Sequence, residues 1–319
     1  MMKQVWGILK LVRWVNLLII ALSMYLFQYC VIVPQLHKVD MDPTLSLLYF
    51  TLLVLSVVFI AAAGNVVNAY LDYEQDAQYK PEKVIIGNYI SLDTAFNLQL
   101  GFSVVGILIG FFLAYHFGNI RLGYIFLSAT ALLWLYSQVL KKFFLIGNVV
   151  VAALSAVVFV LPVLFEAHVT DYVQSEFQLR VALTIHTELK LYCFFAFVVS
   201  LIREIVKDAE DKEADAAYDM KTIPVVLPVW AVNAIVVSMM IGLMVVIGEV
   251  QWYFWQHGLK KNFWFCLFLL QFPILTNGCT VVISKSKQDY HNISVLLKLL
   301  MFFGIASMPA FYLFFTLWK

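Results

Sequence analysis

Long apolar stretches alternate with short polar segments along the whole chain. Each apolar stretch is about 20 residues long, which is the length that an α-helix needs to cross the hydrocarbon core of a bilayer. The pattern predicts an all-α, polytopic membrane protein with about nine transmembrane helices in one bundle, and we expect residues 1–319 to form a single domain. The predicted spans are 14–33, 46–70, 94–115, 122–140, 143–165, 189–207, 222–247, 262–284 and 295–318.

The composition indicates the same class of protein. Hydrophobic residues make up 63% of the chain and charged residues 13%, whereas soluble globular proteins have about 45–50% and about 25%. So few charges cannot cover a water-exposed surface. The net charge is +1 and there is no long basic run, which argues against a nucleic-acid partner. We therefore expect an integral membrane protein in contact with membrane lipid.

The distribution of basic residues predicts the orientation of the bundle. If the predicted spans alternate in direction, 14 of the 21 Lys and Arg residues lie on the side that holds the amino terminus. Cytoplasmic loops carry an excess of Lys and Arg. We therefore predict a protein of the plasma (inner) membrane, with its amino terminus in the cytoplasm and its carboxyl terminus outside.

Two polar segments, each at the end of a predicted span, carry carboxylates at helical spacing. Residues three or four apart lie on one face of a helix, so each segment would form one acidic stripe. Four spans separate the two segments, and an even number places both at the same membrane face. The stripes are Asn68, Asp72 and Asp76 after the second span, and Asp208, Asp211 and Asp215 after the sixth.

Two facing stripes of like charge would repel each other unless cations lay between them. Mg²⁺ prefers oxygen ligands, and it usually takes one or two carboxylates together with substrate phosphates. The sequence therefore predicts a cytoplasm-facing site for a diphosphate that is held through magnesium.

At these residues the chain resembles the UbiA family of intramembrane prenyltransferases. That family carries an N-D-x-x-D-x-x-x-D motif after its second helix and a D-x-x-D-x-x-x-D or D-x-x-x-D motif after its sixth. The chain departs from the first motif at Ala69, which stands where the family has Asp. Shorter matches are Arg13-Trp14-Val15-Asn16 to R-P-x-N, Lys80-Pro81-Glu82-Lys83 to K-P-x-R-P, and Tyr136-Ser137 with Lys141 to Y-S-x-x-L-K, followed by Gly147-Asn148.

The resemblance implies a transfer of a polyprenyl group from its diphosphate to a lipid-soluble acceptor, with two Mg²⁺ ions as cofactors. The metal-ligating and catalytic residues would be Asn68, Asp72 and Asp76 for one ion and Asp208, Asp211 and Asp215 for the other. The substrate-binding residues would be Arg13, Asn16, Lys80, Lys83, Tyr136, Lys141, Arg203 and Lys207.

The acceptor is left open by the sequence. The segment from Arg203 to Asp211, followed by Lys221 to Pro224, resembles the branch that transfers a geranylgeranyl group to geranylgeranylglyceryl phosphate. Relatives that act on quinone precursors, chlorophyllide or haem have similar segments, so an aromatic prenyltransferase of quinone biosynthesis is the alternative within the family. The alternative from another class is a membrane transporter or an inactive scaffold. Ala69 is compatible with an inactive scaffold because it replaces an Asp of the family motif. No general base and no oligomeric state is indicated by the sequence.

Overall fold

A computed structural model gives the fold and describes residues 2–79, 81, 84–166 and 175–316. Within this part the chain is helical, with a single isolated bridge between Ile86 and Ile90 as its β-type pairing. The helices are α1 (Met2–Leu11), α2 (Trp14–His37), α3 (Leu47–Leu71), α4 (Tyr73–Tyr79), α5 (Leu92–His116), α6 (Ile120–Gln138), α7 (Ile146–Leu164), α8 (Glu176–Ala217), α9 (Ile223–Val226), α10 (Val229–Gln256), α11 (Lys260–Ile283) and α12 (Lys287–Thr316).

Eight helices in the described ranges are long and apolar enough to cross a membrane, which identifies an integral membrane protein. The prediction of nine spans is therefore approximate. The last helix also begins earlier than its predicted span 295–318, because the polar residues from Lys287 onward already form helical turns. The eight helices are α2, α3, α5, α6, α7, α10, α11 and α12.

The predicted sixth span, 189–207, lies within α8, a single helix of 42 residues. At about 1.5 Å per residue, this helix is roughly 63 Å long, about twice the hydrocarbon thickness of a bilayer. Its predominantly apolar part runs only from Leu191 to Ile202. Because both of its ends are polar, α8 is not among the eight helices whose length and apolar composition suit a membrane span. The second acidic stripe consequently lies on the continuation of this helix.

The predicted seventh span, 222–247, is divided in the structure. Pro224 lies in the short helix α9, whereas Pro228 is the N-cap of α10. Between them Leu227 is extended (φ −104°, ψ 150°), because a proline ring disfavours helical geometry in the residue before it. The membrane helix therefore begins at Val229 and continues to Gln256, nine residues beyond the predicted end.

Close helix packing fixes the position of α3, which carries the first acidic stripe at its end. Ser56 Oγ donates a hydrogen bond of 2.7 Å to the carbonyl oxygen of Gly106 on α5. A Cβ atom at Gly106 would lie 2.7 Å from Ile60 Cγ1, so only glycine permits this approach. Small residues at such contacts let helix backbones come together in a membrane. On another side of the bundle, α8 packs along both α7 and α12.

Candidate functional site

The end of α3, the short helix α4 and the last turns of α8 line one cavity, which we call the acidic cavity. The two carboxylate stripes are far apart in the sequence and adjacent in the folded chain. The acidic cavity brings together all six candidate metal ligands, Asn68, Asp72, Asp76, Asp208, Asp211 and Asp215.

The first stripe crosses a junction between two helices, although its spacing predicted one continuous helix. Helix α3 ends at Leu71, Asp72 is its C-cap, and α4 follows. The backbone N–H of Asp72 donates to the Asn68 carbonyl (3.0 Å) and that of Asp76 to the Asp72 carbonyl (2.8 Å). Because the i to i−4 hydrogen-bond pattern persists across the junction, the three side chains still line the same cavity.

Lys141 is the basic residue in closest contact with the first stripe. Its Nζ donates to Asp72 Oδ1 in a short ion pair and lies 3.5 Å from Asn68 Oδ1. Burial lowers the pKa of the Lys141 ammonium, and the negative charge of Asp72 opposes that shift. The turn that carries Lys141 packs against Gly147, where a Cβ atom would lie 2.7 Å from Lys141 Cα. Glycine at this position thus allows α7 to hold the lysine over the carboxylates.

Asn148 holds one carboxylate of the second stripe. Its Nδ2 donates to Asp208 Oδ2 at 2.7 Å. Asp208 lies just beyond the predicted span 189–207, and its burial raises the pKa of its carboxyl to about 8, with the Asn148 hydrogen bond opposing the shift. About two helical turns further on, Asp215 is buried and accepts a hydrogen bond from Thr222 Oγ1 at 3.1 Å. Both carboxylates are therefore oriented by neighbouring side chains.

The chemistry of the acidic cavity fits a divalent cation, although its side chains are not arranged around one. Within the described ranges, no three His, Cys, Asp or Glu side chains lie close enough together to hold a metal ion. Asp72 is paired with Lys141, so cation binding requires side-chain reorientation. Hard oxygen donors of this kind suit Mg²⁺. The acids that line the cavity, Asp72, Asp76, Asp208, Glu210, Asp211 and Asp215, outnumber the bases Lys10, Arg13, Lys141 and Lys207.

A second cavity, which we call the apolar cavity, extends from the acidic cavity into the bundle. It is enclosed by α2, α3, α6, α7, α8 and α12. Tyr192 is the lining residue of α8 farthest from Lys207, and its ring centroid lies 6.0 Å from that of Phe159, which also lines the cavity. Tyr136 lines both cavities and so marks the boundary between them. The arrangement joins a charged compartment directly to an apolar one.

The turn between α1 and α2 presents Arg13 to both cavities. Arg13 has a positive φ of 53°, an unfavourable backbone conformation for a residue with a side chain. The side-chain amide of Asn65, on α3, donates to the carbonyl oxygen of Val12 at 2.9 Å and fixes this turn. Asn16, one turn into α2, lines the apolar cavity but not the acidic one.

Of the remaining predicted substrate-binding residues, two line the cavities and two lie outside the described residues. Lys207 lines both cavities, whereas Arg203 lines the apolar cavity and donates from Nη1 to Glu204 Oε1 at 2.9 Å. Lys80 and Lys83 lie outside the described residues. Their predicted contacts with substrate therefore stay predictions.

Several residues of the site were not predicted as site residues from the sequence, although Asn148 was noted in the short match Gly147-Asn148. Asn65 and Asn148 each hold a group of the site, and Lys298 lines the apolar cavity from α12. The available signal was a polar side chain within a largely apolar span, which is costly unless the side chain has a function or a partner. His291 Nδ1 lies 3.0 Å from Glu210 Oε1, a contact that no sequence pattern indicated.

Comparisons with known proteins agree with this architecture. The model of the UbiA prenyltransferase family matches residues 39–303. A digeranylgeranylglyceryl phosphate synthase from Methanosphaera stadtmanae is 28% identical over 251 residues, which cover 78% of this chain and 83% of the relative.

Two solved structures share the fold over nearly the whole chain. A structure described as giving insights into digeranylgeranylglyceryl phosphate synthase in membranes has a TM-score of 0.62 at 19% identity and covers 97% of this chain and 98% of the other. A UbiA homologue from Archaeoglobus fulgidus bound to GPP and Mg²⁺ has a TM-score of 0.54 at 15% identity, with 95% and 99% coverage. At these identities the likeness concerns the fold.

Proposed function

Because this chain belongs to the UbiA prenyltransferase family, we propose that it transfers a geranylgeranyl group from its diphosphate to geranylgeranylglyceryl phosphate. One observation carries the proposal: two acidic stripes line a single cavity that opens directly onto an apolar cavity. A prenyl diphosphate has the same two parts, a multiply charged head and a hydrocarbon tail. The Methanosphaera stadtmanae relative, named for this reaction, supports the choice of acceptor.

In this proposal Mg²⁺ is bound by the acidic cavity. Asn68, Asp72 and Asp76 would hold one ion, and Asp208, Asp211 and Asp215 a second. The Archaeoglobus fulgidus homologue bound to GPP and Mg²⁺ supports the choice of metal. When bound, magnesium neutralises the charge that develops on the departing diphosphate.

The protein's own side chains bind and orient the donor. Lys141, Arg13 and Lys207, which line the acidic cavity, would add positive charge around the diphosphate, and Lys80 and Lys83 are proposed for the same role from the family resemblance. The allylic carbon–oxygen bond breaks and its electron pair leaves with the diphosphate. The acceptor hydroxyl oxygen then bonds to that carbon and releases its proton. The ring face of Tyr136, at the boundary of the cavities, would stabilise positive charge on the allylic carbon.

The length of the apolar cavity supports a donor of about four isoprene units. Tyr192 and Lys207 are the first and last residues of α8 that line it, and they are fifteen residues apart, a rise of roughly 22 Å. Four carbon–carbon bonds of about 1.5 Å each advance an extended isoprenoid chain by roughly 5 Å per unit. Four units therefore need roughly 20 Å, which matches the stretch of α8 that lines the cavity.

The membrane, the orientation and the domain organisation are part of the same proposal. The excess of Lys and Arg on one side supports a cytoplasmic amino terminus, an outside carboxyl terminus and a site that faces the cytoplasm of a plasma (inner) membrane. The family model covers 39–303, which supports treating residues 1–319 as one prenyltransferase domain. Prenyl diphosphate would then arrive from the cytoplasmic side, and the lipid acceptor and product would move within the membrane.

The test uses purified protein in lipid nanodiscs with labelled geranylgeranyl diphosphate. Acceptors would be geranylgeranylglyceryl phosphate and a phenolic quinone precursor, each with and without Mg²⁺, and products would be identified by mass spectrometry. We expect magnesium-dependent formation of the phosphoglycerol ether. Asp72→Ala and Asp208→Ala should abolish it, whereas Asp93→Ala, an exposed acid at the start of α5, is the matched control.

Three results would contradict the proposal. Prenylation of the phenol alone would favour the quinone alternative. Unchanged turnover in Asp72→Ala would remove the metal assignment. Absence of diphosphate release with every donor and acceptor would favour a scaffold or a transporter over an enzyme.

A further inference from the structure

A third cavity, which we call the basic cavity, lies where α2, α8 and α12 meet. It adjoins the apolar cavity along three side chains from three helices, Asn16, Arg203 and Lys298. It shares Lys10, Arg13, Lys207 and Glu210 with the acidic cavity, and Arg13 and Lys207 line all three cavities. The basic side chains that line it are Lys10, Arg13, Arg203, Lys207 and Lys298.

The charge of the basic cavity is opposite to that of its acidic neighbour. Five Lys and Arg side chains line it together with a single acid, Glu210. Glu210 is already engaged, since its Oε1 lies 3.0 Å from His291 Nδ1. The cavity therefore attracts an anion, whereas the surplus of carboxylates in the acidic cavity attracts cations.

Some of the charged hydrogen-bond donors in the basic cavity have no acceptor among the described residues. Among the described residues, no ion pair involves Arg13, Lys207 or Lys298. Arg203 directs Nη1 to Glu204, but its Nε is buried without a hydrogen-bond partner. Buried donors are almost always satisfied in proteins, and a planar guanidinium beside an ammonium is well suited to phosphate oxygens. An anion bound between Arg203 and the exposed Lys298 would give the buried Nε of Arg203 its missing acceptor.

The rim of the basic cavity is apolar and open. Trp14, Val15 and Val295 are 43%, 48% and 51% exposed, and each belongs to a helix that is long and apolar enough to span a membrane. Aromatic residues of this kind are enriched where a protein meets the bilayer interface. A ligand can therefore enter from the lipid with its hydrocarbon part toward the rim and the apolar cavity. The combination fits an amphiphile with an anionic head rather than a free ion.

We propose that the basic cavity binds the phosphate group of the lipid acceptor, with Arg203 and Lys298 as its specificity-determining residues. This inference rests on the proposed function and assigns the acceptor a site separate from the diphosphate of the donor. A glycerol unit places its hydroxyl groups within a few bonds of the phosphate. An acceptor anchored in this way would present its hydroxyl near Arg13 and Lys207, where the three cavities meet. The acceptor would therefore need a phosphomonoester for tight binding, and a neutral lipid alcohol would be a poor substrate.

The test compares Lys298→Gln with Lys287→Gln, a matched exposed lysine on the same helix that does not line the cavity. Binding of geranylgeranylglyceryl phosphate to each protein in nanodiscs would be measured by calorimetry without Mg²⁺ or donor. We expect Lys298→Gln to raise the Kd by about 10- to 100-fold, the effect of losing one charge-assisted contact. Lys298→Arg should restore most of the affinity. Asp72→Ala should leave this binding unchanged, since it lies in the other cavity.

Three further ligands separate the possible sources of the phosphate. We expect geranylgeranylglycerol without phosphate and glycerol phosphate without a hydrocarbon chain both to bind at least tenfold more weakly than the complete acceptor. Equal binding of phosphatidylglycerol would instead indicate a general site for anionic membrane lipid and would overturn the inference.

Catalysis provides the second readout. In the transfer assay, Lys298→Gln should raise the KM for the phosphate-bearing acceptor and leave the KM for the prenyl diphosphate unchanged. A wild-type protein that makes no product would count against the proposed function itself. The alternative outcome is that the wild type prenylates the acceptor while Lys298→Gln leaves the acceptor Kd and KM unchanged. That result would overturn only the inference about the basic cavity.

Discussion

Lys141 Nζ donates a hydrogen bond to Asp72 Oδ1 and thereby joins the turn before α7 to the end of α3. The two residues lie on opposite sides of the α5–α6 segment in sequence. The pair keeps a positive charge beside a carboxylate that we propose as a metal ligand. In the proposed reaction, the Lys141 ammonium would leave Asp72 and bind the diphosphate instead when magnesium binds to Asp72.

Replacement of Lys141 by Gln removes this charge and keeps most of the side-chain volume. A hydrogen bond to a charged group contributes about 1.5–3 kcal/mol, so kcat/KM for the prenyl diphosphate should fall by about 10- to 100-fold. The acceptor KM should change little. Lys142→Gln is the control, because that side chain is exposed on the same turn. Equal kinetics in the two variants would show that Lys141 has only a structural role.

Asn148 orients the Asp208 carboxylate through its 2.7 Å hydrogen bond. Loss of a residue that orients a metal ligand typically weakens metal affinity by about 10- to 100-fold. Asn148→Ala should accordingly raise the Mg²⁺ concentration needed for half-maximal activity, and saturating Mg²⁺ should restore much of the rate. The measurement is a magnesium titration of turnover, with Asn97→Ala, an exposed asparagine on α5, as the control. An unshifted titration curve in Asn148→Ala would argue against Asp208 as a ligand.

An aromatic cluster lies beside the apolar cavity at the end that is farthest from Lys207 along α8. Phe159 packs edge-on against Phe27 with centroids 5.5 Å apart, and Tyr192 lies next to both rings. Phe159→Ala should open this end and allow transfer from diphosphates of five or six isoprene units. Competition assays with mixed donor lengths would measure the change.

Two comparisons keep that experiment interpretable. Replacement of a buried Phe by Ala typically lowers the free energy of unfolding by about 3–5 kcal/mol. Thermal unfolding must therefore confirm that Phe159→Ala is folded at the assay temperature. Tyr192→Phe keeps the ring and removes only the hydroxyl that lies 3.0 Å from Ser307 Oγ, and it should leave the length preference intact. A folded Phe159→Ala protein that still prefers four units would locate the limit elsewhere.

Glu188, on α8 next to the end of α2, makes stability depend on pH. Burial raises the pKa of its carboxyl to about 7, and Lys38 and Gln35 only partly oppose this shift. The folded state therefore holds a proton that the unfolded chain releases near pH 4.5, so stability falls as the pH rises from that value through 7. Glu188→Gln imitates the protonated form.

We expect the Glu188→Gln variant to unfold at a higher temperature than the wild type at pH 8, with a difference that shrinks toward pH 5. Thermal unfolding in detergent at both pH values would measure this. Glu176→Gln, an exposed acid on the same helix, should show no comparable pH dependence. A Glu188→Gln effect of equal size at both pH values would contradict the proposed cause.

Much of the fold could be predicted because a bilayer imposes length and apolarity on each helix separately. Both are local properties of the sequence, so eight spans were recognisable one by one. The predicted bounds were wrong where polar residues continue a helix beyond the apolar layer, as in α8, or where a backbone rule ends a helix, as at Leu227 and Pro228. These features depend on caps and neighbours more than on hydropathy.

The sequence by itself determined the membrane class, the two acidic stripes and, by counting spans, their common membrane face. It could do so because helical periodicity and the parity of crossings need no knowledge of side-chain contacts. Only the tertiary structure decided that Lys141 pairs with Asp72, that Asn148 holds Asp208, and that Arg203 and Lys298 form a basic cavity beside the acidic one. These contacts link helices that are far apart in the sequence. The distances between such helices follow from how the helices pack, and no single segment of the chain encodes that packing.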